Sequence, residues 1–215
     1  MPNQSNDTND TVEIYQYSHS IHGSHHKIIN YVNEGRKVLD VGCNKGYLSR
    51  EFKKKGCYTV GIEADLESAS IARQFCDDVI IQDVEQIGEL AYPDDYFDVI
   101  VLADIIEHLR YPDKVLLWLK KYLSPRGDIV VSLPNIARID IRLKLLFGKF
   151  DYEETGIMDK THLRFFTLQT AKNLFEDTGY RISDIDYTGL CSKFKIFPGL
   201  TAFQFIIMAK KEEIR

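Results

Sequence analysis

The fold is decided by the stretch Val38-Leu39-Asp40-Val41-Gly42-Cys43-Asn44-Lys45-Gly46. Its apolar residues are typical of a buried strand, and its two glycines free the backbone for a tight turn before the next helix. A turn of this kind can cradle a ligand. The glycine spacing is G-x-x-x-G, whereas turns that bind dinucleotides read G-x-G-x-x-G. Asp40 would repel a pyrophosphate and attract a cation, so the stretch predicts a site for a positively charged group.

Length and composition indicate one large α/β domain. The chain has 215 residues and a hydrophobic content of 44%, which is enough for a single substantial core. Its formal net charge of -5 argues against a general nucleic-acid binder. No apolar run approaches the roughly 18 residues of a membrane-spanning helix, and residues 1–7 lack the basic and apolar parts of a signal peptide. We therefore expect a cytoplasmic protein with no nucleic-acid partner and no transmembrane segment.

The cysteines give no sign of a disulfide framework or a zinc site. They show neither C-x-x-C spacing nor the density of a small secreted scaffold, so we expect them to be reduced and partly buried. They are Cys43, Cys57, Cys76 and Cys191.

The N-terminal part of the chain precedes the first strand. Residues 1–11 are polar and are predicted to be mobile, and residues 12–215 are predicted to form the single domain. His19–Val32 reads as a helix that leads into the first strand, and its spacing allows several histidines to share one face. Neither a cysteine nor a carboxylate completes a metal-ligand set there, so we interpret this helix as a polar cap. Its histidines are His19, His22, His25 and His26.

Strands and helices alternate along the rest of the chain. Tyr58–Glu63 and Phe97–Asp104 are strongly apolar and predict two further buried strands. Pro112 fits the first turn of a helix that Pro125-Arg126-Gly127 closes. The remaining strands are predicted at Val79–Gln82, Ile129–Leu133, Arg181–Tyr187 and Phe203–Ala209. Seven strands with interleaved helices predict a doubly wound α/β domain with helices on both faces of the sheet.

Acidic residues lie at the ends of the first three strands. Asp40 belongs to the first strand, and Glu63 and Asp83 end the second and third. In a parallel sheet with right-handed crossovers, these ends meet at one edge, where such sheets bind ligands. Any one of these acids could instead cap a helix or lie in solvent, but together with the glycine turn they predict a binding site. Asp98 starts its strand, away from that edge, and is interpreted as structural.

The motifs occur in the order seen in class I S-adenosylmethionine (SAM)-dependent methyltransferases, and residues 30–210 resemble that class. The resemblance implies a seven-stranded Rossmann-like sheet with an antiparallel last strand. Residues 159–167, Asp-Lys-Thr-His-Leu-Arg-Phe-Phe-Thr, are similar to a signature of small methyltransferases associated with glycosyltransferases. Asp104–His108 is similar to a segment of the ubiquinone-pathway O-methyltransferases. The other motifs are residues 38–46, Glu63, Asp83, Phe97–Ile100, Glu107–Leu109 and Leu123–Gly127.

The chemistry of SAM agrees with this resemblance. Asp40 suits its positive part, the amides of the glycine turn can approach its amino-acid portion, and Glu63 can accept both ribose hydroxyls. By resemblance, Asp83 and the Val84 amide face the adenine. The expected SAM-binding residues are Asp40, Gly42, Cys43, Asn44, Gly46, Glu63, Ala64, Asp83, Val84 and Ala103. The class usually has glycine at the position of Asn44, but asparagine tolerates left-handed backbone, so we expect binding to survive.

Two histidines are candidates for the catalytic base. Methyl transfer depends mainly on in-line positioning, and a hydroxyl acceptor also needs a group that takes its proton. His108 follows the fourth strand at the ligand edge and is the first candidate, and His162 is the second. Arg164 could hold an anionic group of the substrate. The alternative for His162 is a structural histidine that fastens a loop to the domain.

A divalent metal is an alternative for the same segment. Asp104, Glu107 and His108 place two carboxylates and an imidazole within five residues, and some resembling O-methyltransferases use such a segment with a divalent ion. Here the first acid is the shorter aspartate, and much of the superfamily carries Glu-His at this place with no known metal. We therefore expect SAM as the cofactor and no metal.

Residues 135–160 are predicted to be a lid-like insertion. Apolar residues recur at helical spacing over Ile136–Phe150, among basic residues. We expect this helix to pack over the active site, and peripheral membrane contact or a dimer interface stay open as alternatives. The apolar positions are Ile136, Ile139, Leu143, Leu146 and Phe147.

The sequence therefore predicts a SAM-dependent methyltransferase that acts on a hydroxyl of a sugar or another small-molecule acceptor. A module that binds SAM without catalysis is one alternative. An NAD-dependent oxidoreductase is another, disfavoured by Asp40 and by the missing G-x-G-x-x-G.

Overall fold

The computed structural model describes residues 23–189 and 197–212. The expected mobile segment 1–11, His19, His22 and Cys191 lie outside these residues. The strands are β1 (Lys37–Val41), β2 (Tyr58–Glu63), β3 (Asp78–Ile81), β4 (Phe97–Ala103), β5 (Leu123–Pro134), β6 (Tyr180–Tyr187) and β7 (Gln204–Lys211). The helices are α1 (Ser24–Tyr31), α2 (Tyr47–Lys54), α3 (Leu66–Ala72), α4 (Pro112–Tyr122), α5 (Ile139–Leu146), α6 (Leu168–Asp177) and α7 (Pro198–Thr201).

The strands form one mixed sheet in the order β3-β2-β1-β4-β5-β7-β6. β1 to β5 pair in parallel, and β7 runs antiparallel to both β5 and β6. This confirms the predicted doubly wound sheet with an antiparallel last strand. β1 lies between β2 and β4, with Asp40 opposite Gly61 on one side and Val101 on the other. The glycine turn after β1 therefore opens at the middle of the sheet.

Apolar side chains cover both faces of the sheet. Neighbouring residues of one strand alternate between the two faces, so Ile100 and Leu102 join a core cluster with α4 and α6, whereas Val99 and Val101 pack with α1 and α2. Strands buried on both faces read as continuous apolar runs, which is why β4 was recognisable from sequence. Helices on both faces are thereby confirmed.

β5 begins earlier than predicted. We expected Pro125-Arg126-Gly127 to close α4 and the strand to start at Ile129, but the strand starts at the buried Leu123, which pairs with Phe97. The next pair in the register is Val99 with Asp128. Between the two pairs, β5 therefore runs through five residues while β4 runs through two. Pro125, Arg126 and Gly127 therefore lie in an irregular, bulge-like part of β5.

Candidate active site

A cavity of about 440 Å³ opens at the carboxyl ends of β1, β2 and β4. It is lined by nine of the ten residues expected to bind SAM, and also by His108. The nine are Asp40, Gly42, Cys43, Asn44, Glu63, Ala64, Asp83, Val84 and Ala103. Ligands of open α/β sheets bind at such an edge, so the fold brings the predicted residues to the place where they can act together.

The turn after β1 requires both of its glycines. Gly42 has φ +68°, and a Cβ atom there would lie 2.2 Å from Cδ1 of Ile105. Gly46 has φ +77°, and a Cβ atom would lie 3.1 Å from the Cα atom of Ala72. Gly46 is therefore needed for close packing on α3, and it is not among the residues that line the cavity. Its expected contact with SAM stays a prediction.

Asn44 replaces a glycine without breaking the turn. Its φ is +49°, its amide donates to Oε2 of Glu63 at 2.9 Å, and its Oδ1 accepts from the Lys45 amide at 2.7 Å. Asparagine visits left-handed backbone more readily than most residues because its side chain can make such local hydrogen bonds. The turn and the strand-end acid are thus tied together.

We expect Asn44→Gly to change the affinity for SAM by less than about threefold. The variant keeps the amide that donates to Glu63, and glycine relieves the left-handed strain while losing one local hydrogen bond, so these small effects oppose each other. Isothermal titration calorimetry on both proteins measures the change. A loss greater than tenfold would show that the Asn44 side chain itself contacts the cofactor.

Asp40 is held in a buried position at the base of the cavity. The residue is only 2% exposed, and its Oδ2 accepts from the Ser49 hydroxyl at 2.7 Å. Burial raises the pKa of Asp40 to about 6, although the Ser49 hydrogen bond opposes this. When Asp40 is ionised, its buried negative charge is only partly compensated by Ser49, so a positive group nearby would stabilise it. Sequence reasoning missed Ser49, which lies on α2 nine residues after Asp40.

Glu63 and Asp83 are fixed by backbone amides. The Asp65 amide donates to Oε1 of Glu63 at 2.8 Å, and the Glu85 amide donates to Oδ1 of Asp83 at 2.9 Å. Each carboxylate oxygen has two lone pairs, so these contacts leave acceptor capacity toward the cavity. Both side chains are positioned before any ligand arrives.

His108 and His162 meet at the other end of the cavity. Their ring centroids are 4.8 Å apart, in an edge-to-face arrangement. Nδ1 of His108 lies 3.2 Å from Oγ1 and 3.3 Å from the carbonyl oxygen of Thr161, and Nδ1 of His162 lies 3.2 Å from the carbonyl oxygen of Ile157. Burial, together with the neighbouring His108, lowers the pKa of His162. His162 packs edge-to-face against His108 and does not itself line the cavity.

Glu107 is a buried acid beside these histidines. It is 1% exposed, and neither carboxylate oxygen has a hydrogen-bond partner among the residues that the structure describes. Burial raises the pKa of Glu107 well above its usual range, and Asp104 adds to this. Its backbone carbonyl accepts from the amides of Leu163 at 2.8 Å and Arg164 at 2.9 Å. One ligand atom each of Glu107, His108 and His162 lie within 4.8 Å of one another.

The structure changes the candidate metal set. Asp104 lines the cavity, but its Oδ1 accepts from the Ser132 hydroxyl at 2.6 Å and from Nε2 of Gln204 at 2.7 Å, and it is not part of the cluster of possible metal ligands. His162 takes the place that Asp104 was expected to fill. The sequence could not show this, because His162 is 54 residues beyond His108 and reaches it only through the folded loop.

Arg164 is not brought to the cavity. Its Nη2 donates to the carbonyl oxygen of Arg110 at 2.6 Å, and the residue is exposed. This backbone contact explains the position of the side chain, so the structure gives no contact in support of the expected anion site. Its role in substrate binding stays a prediction.

The insertion at residues 135–160 lies outside the lining of the cavity, and its role as a lid stays a prediction. None of its residues, all of which the structure describes, lines the cavity. The helix is shorter than predicted and buries Ile141 against Ile157 and Met158, whereas Leu146 and Phe147 are 76% and 77% exposed. An apolar stripe identifies a face but not the surface it contacts. Membrane contact or dimer formation through this face stays a prediction.

Sequence reasoning also missed several residues of the lining. His25 lines the cavity from α1, where burial lowers its pKa and Asp104 opposes this effect. The signal was the cluster of histidines in the first helix, which we had interpreted as a polar cap. Others that line the cavity are Tyr47, Leu48, Gln82, Ile105 and Thr161.

Within the described residues, no helix has the length and apolarity needed to cross a membrane.

Comparisons with known proteins point in one direction. Residues 15–184 match the family described as a methyltransferase domain. The ubiquinone biosynthesis O-methyltransferase of Aeromonas salmonicida is 24% identical over 177 residues, which are 75% of this chain and 71% of that protein. The mitochondrial ubiquinone biosynthesis O-methyltransferase of Mus musculus is 24% identical over 164 residues, 70% of this chain and 43% of that protein. A SAM-dependent methyltransferase structure from Archaeoglobus fulgidus has a TM-score of 0.67 at 20% identity and covers 86% of this chain and 90% of that one.

Proposed function

Because this chain belongs to the methyltransferase domain family, as a class I SAM-dependent enzyme, we propose that it methylates a hydroxyl group of a small-molecule acceptor. The observation that carries the proposal is the cavity that joins Asp40, Glu63 and Asp83 to His108. The names of the related O-methyltransferases support oxygen as the acceptor atom. A sugar hydroxyl is the first acceptor to test, on the resemblance of residues 159–167, and a ring hydroxyl is the second.

The strand-end acids would hold the cofactor. Glu63 would accept from the two ribose hydroxyls, and Asp83 with the Val84 amide would face the adenine. Asp40 would attract the positive part of the methionyl portion, and the turn from Gly42 to Gly46 would let backbone amides approach its carboxylate closely. These residues fit a ligand that carries a diol, a base and a cation.

His108 would take the proton of the acceptor. SAM, when bound, supplies a methyl group attached to a sulfonium. The sulfur is a good leaving group because it departs as a neutral thioether. A proton on Nδ1 of His108 can be donated to the Thr161 carbonyl, which leaves Nε2 free to accept the hydroxyl proton. The Thr161 contact also fixes the orientation of the ring. His108 would thus position the acceptor oxygen and remove its proton as the oxygen bonds to the methyl group.

Two measurements test this function. Calorimetry with SAM and with NAD identifies the cofactor, and release of S-adenosylhomocysteine from a panel of sugars, phenols and catechols identifies the acceptor class. We expect binding of SAM and product release that depends on a hydroxyl compound. Binding of NAD without binding of SAM would contradict the proposal, and product release from amines alone would contradict the acceptor atom.

A divalent cation is the second candidate for this site, favoured by the two unpartnered oxygens of Glu107. Burying a carboxylate without a partner is costly, and a cation held by Glu107, His108 and His162 would satisfy it. These oxygen and nitrogen donors fit magnesium, manganese or zinc. Such an ion would supply Lewis-acid activation of the acceptor hydroxyl.

We expect removal of this cation to lower the turnover of a hydroxyl acceptor by about tenfold or more, since hydroxyl activation would be lost. The enzyme is dialysed against a chelator, assayed, and assayed again after magnesium, manganese or zinc is restored. Thermal melting gives a second readout, because an ion that binds only the folded protein raises Tm. Glu107→Gln should lose the metal-dependent rise in Tm. Full activity in chelator with no metal-dependent rise would leave His108 acting without a metal.

A further inference from the structure

We propose that Cys43 and Cys76 are a redox-sensitive pair: a peroxide that enters the empty cavity joins them in a disulfide, and this disulfide weakens the binding of SAM. The effect on the cofactor rests on the proposed function of the cavity. Formation of the disulfide depends only on the two side chains.

The two thiols meet over a strand that has no side chain at that point. Gly61 lies in β2, and a Cβ atom there would be 2.5 Å from Sγ of Cys43 and 3.2 Å from Sγ of Cys76. Real side-chain carbons do not approach so closely, so the glycine provides the space that both sulfurs occupy. Cys43 and Cys76 are each 5% exposed and belong to one small apolar cluster with Ala69, Ala72 and Val79. Both sulfurs therefore lie in the same space beside Gly61 and are shielded from solvent.

Only one of the two cysteines borders the cavity. Cys43 follows Gly42 in the turn and lines the cavity, whereas Cys76 lies beyond α3 and does not line it. An oxidant that enters the empty cavity therefore meets Cys43 first. A cofactor that fills the cavity covers this approach, so occupancy of the site controls access to the pair.

The interaction between the thiols makes them unequal. The Cys43 thiol donates to the Asn44 carbonyl at 3.7 Å. The neighbouring Cys76 raises the pKa of Cys43, whereas Cys43 lowers the pKa of Cys76. Cys76 is therefore the better thiolate, which suits it to attack an oxidised Cys43.

The reaction balances with hydrogen peroxide as the oxidant. The Cys43 thiol loses its proton as its sulfur attacks one peroxide oxygen, the O–O bond breaks, and this proton leaves with the other oxygen as water. The raised pKa of Cys43 makes this first step slow. The Cys76 sulfur then attacks the Cys43 sulfur, an S–S bond forms, and the S–O bond breaks to release a second water with the Cys76 proton. Two thiols lose two electrons, and one peroxide becomes two waters.

A disulfide would alter the turn that holds the cofactor. The Cys43 amide donates to the Ile62 carbonyl at 3.1 Å, and the Cys43 carbonyl accepts from the Gly46 amide at 2.9 Å. A covalent bond to Cys76 would pull this residue toward the end of α3 and fix the turn there. Because Gly42, Cys43 and Asn44 of this turn line the cavity, displacement of the turn would weaken binding.

The test uses the full chain, hydrogen peroxide and SAM. Protein is oxidised with and without saturating SAM, digested without reduction, and examined by mass spectrometry for the peptide linked through Cys43 and Cys76. We expect the linked peptide to form in the empty protein and to form about fivefold more slowly, or slower still, with SAM bound. Calorimetry of the oxidised protein should give an affinity for SAM weaker by about tenfold or more, restored by dithiothreitol.

Two serine variants separate this pair from general oxidation. Cys76→Ser should keep the affinity for SAM after peroxide treatment, whereas Cys57→Ser should behave like the parent protein, because the buried Cys57 thiol instead donates to the Asn33 carbonyl. Absence of the linked peptide, or a linked protein with unchanged affinity, would overturn the proposal. Reduced protein that binds no SAM would contradict the proposed function instead, and the linked peptide would still report on the pair.

Discussion

Asp40→Asn is expected to weaken the binding of SAM by about 10- to 100-fold while making the folded protein more stable. Asparagine keeps the shape and can still accept from the Ser49 hydroxyl, but it removes the negative charge at the base of the cavity. A charge-assisted contact contributes about 1.5–3 kcal/mol, which corresponds to this loss of affinity.

The gain in stability follows from the pKa of Asp40. Burial raises it to about 6 from an ordinary value of 3.8, so between these values the folded state binds more protons than the unfolded state. The free energy of unfolding therefore falls as the pH rises through this window, by about 3 kcal/mol for this residue at pH values above both. Asparagine does not ionise, so the variant should lose this contribution to the pH dependence.

Calorimetry and thermal melting between pH 4 and pH 8 measure both effects. At pH 7.5 we expect Tm to rise by roughly 6–12 °C in Asp40→Asn, because 1 kcal/mol shifts Tm by about 2–4 °C in a chain of this size. Asp98→Asn is the matched control: Asp98 also belongs to a strand but accepts from the Lys37 amide at 3.0 Å, outside the cavity lining. Asp40→Asn protein with unchanged affinity would show that the glycine turn does not bind the cationic part of the ligand.

His108→Ala is expected to lower kcat for the hydroxyl acceptor by about 100- to 10,000-fold, the usual contribution of a positioned base. The affinity for SAM should stay within about threefold, because in the proposed function His108 would face the acceptor and the strand-end acids would hold the cofactor. The acceptor that gives product in the panel serves for this assay, with release of S-adenosylhomocysteine as the signal.

His26→Ala provides the control for replacement of a histidine. His26 lies on α1 next to His25 but does not line the cavity, so its loss should leave kcat nearly unchanged. His162→Ala should fall between the two, since His162 packs against His108 without reaching the cavity. An unchanged kcat in His108→Ala would remove this residue from the chemistry and direct attention to His25.

The sheet and one half of the cavity could be predicted because they depend on local signals. Apolar runs that end in acids, separated by helix-length segments, predict parallel strands, and the topology then places Asp40, Glu63 and Asp83 at one edge. The exact neighbours of each acid were beyond this reasoning. The hydrogen bond from Ser49 to Asp40 depends on the packing of α2 against β1, which the sequence pattern does not record.

The acceptor end and the insertion were harder to predict because they depend on contacts between distant loops. His162 meets Glu107 and His108 across more than fifty residues, and no periodicity in the sequence records that distance. Oδ1 of Asp104 accepts from Ser132 and Gln204, which are distant from it in sequence, although Asp104 itself still lines the cavity. For α5, the apolar spacing correctly predicted a helix, but it could not predict which part of the protein the apolar face contacts.

The two amides that donate to the carbonyl of Glu107 have a consequence for selectivity. They hold the loop with Thr161 and His162 against the turn after β4 through contacts within the protein itself. The loss of conformational entropy needed to bring these distant segments together therefore occurs when the chain folds, not when an acceptor binds. An acceptor would therefore meet a loop whose position is already fixed. A compound of the wrong shape would gain no binding free energy from rearrangement of this loop. We expect the enzyme to accept a narrow range of acceptors.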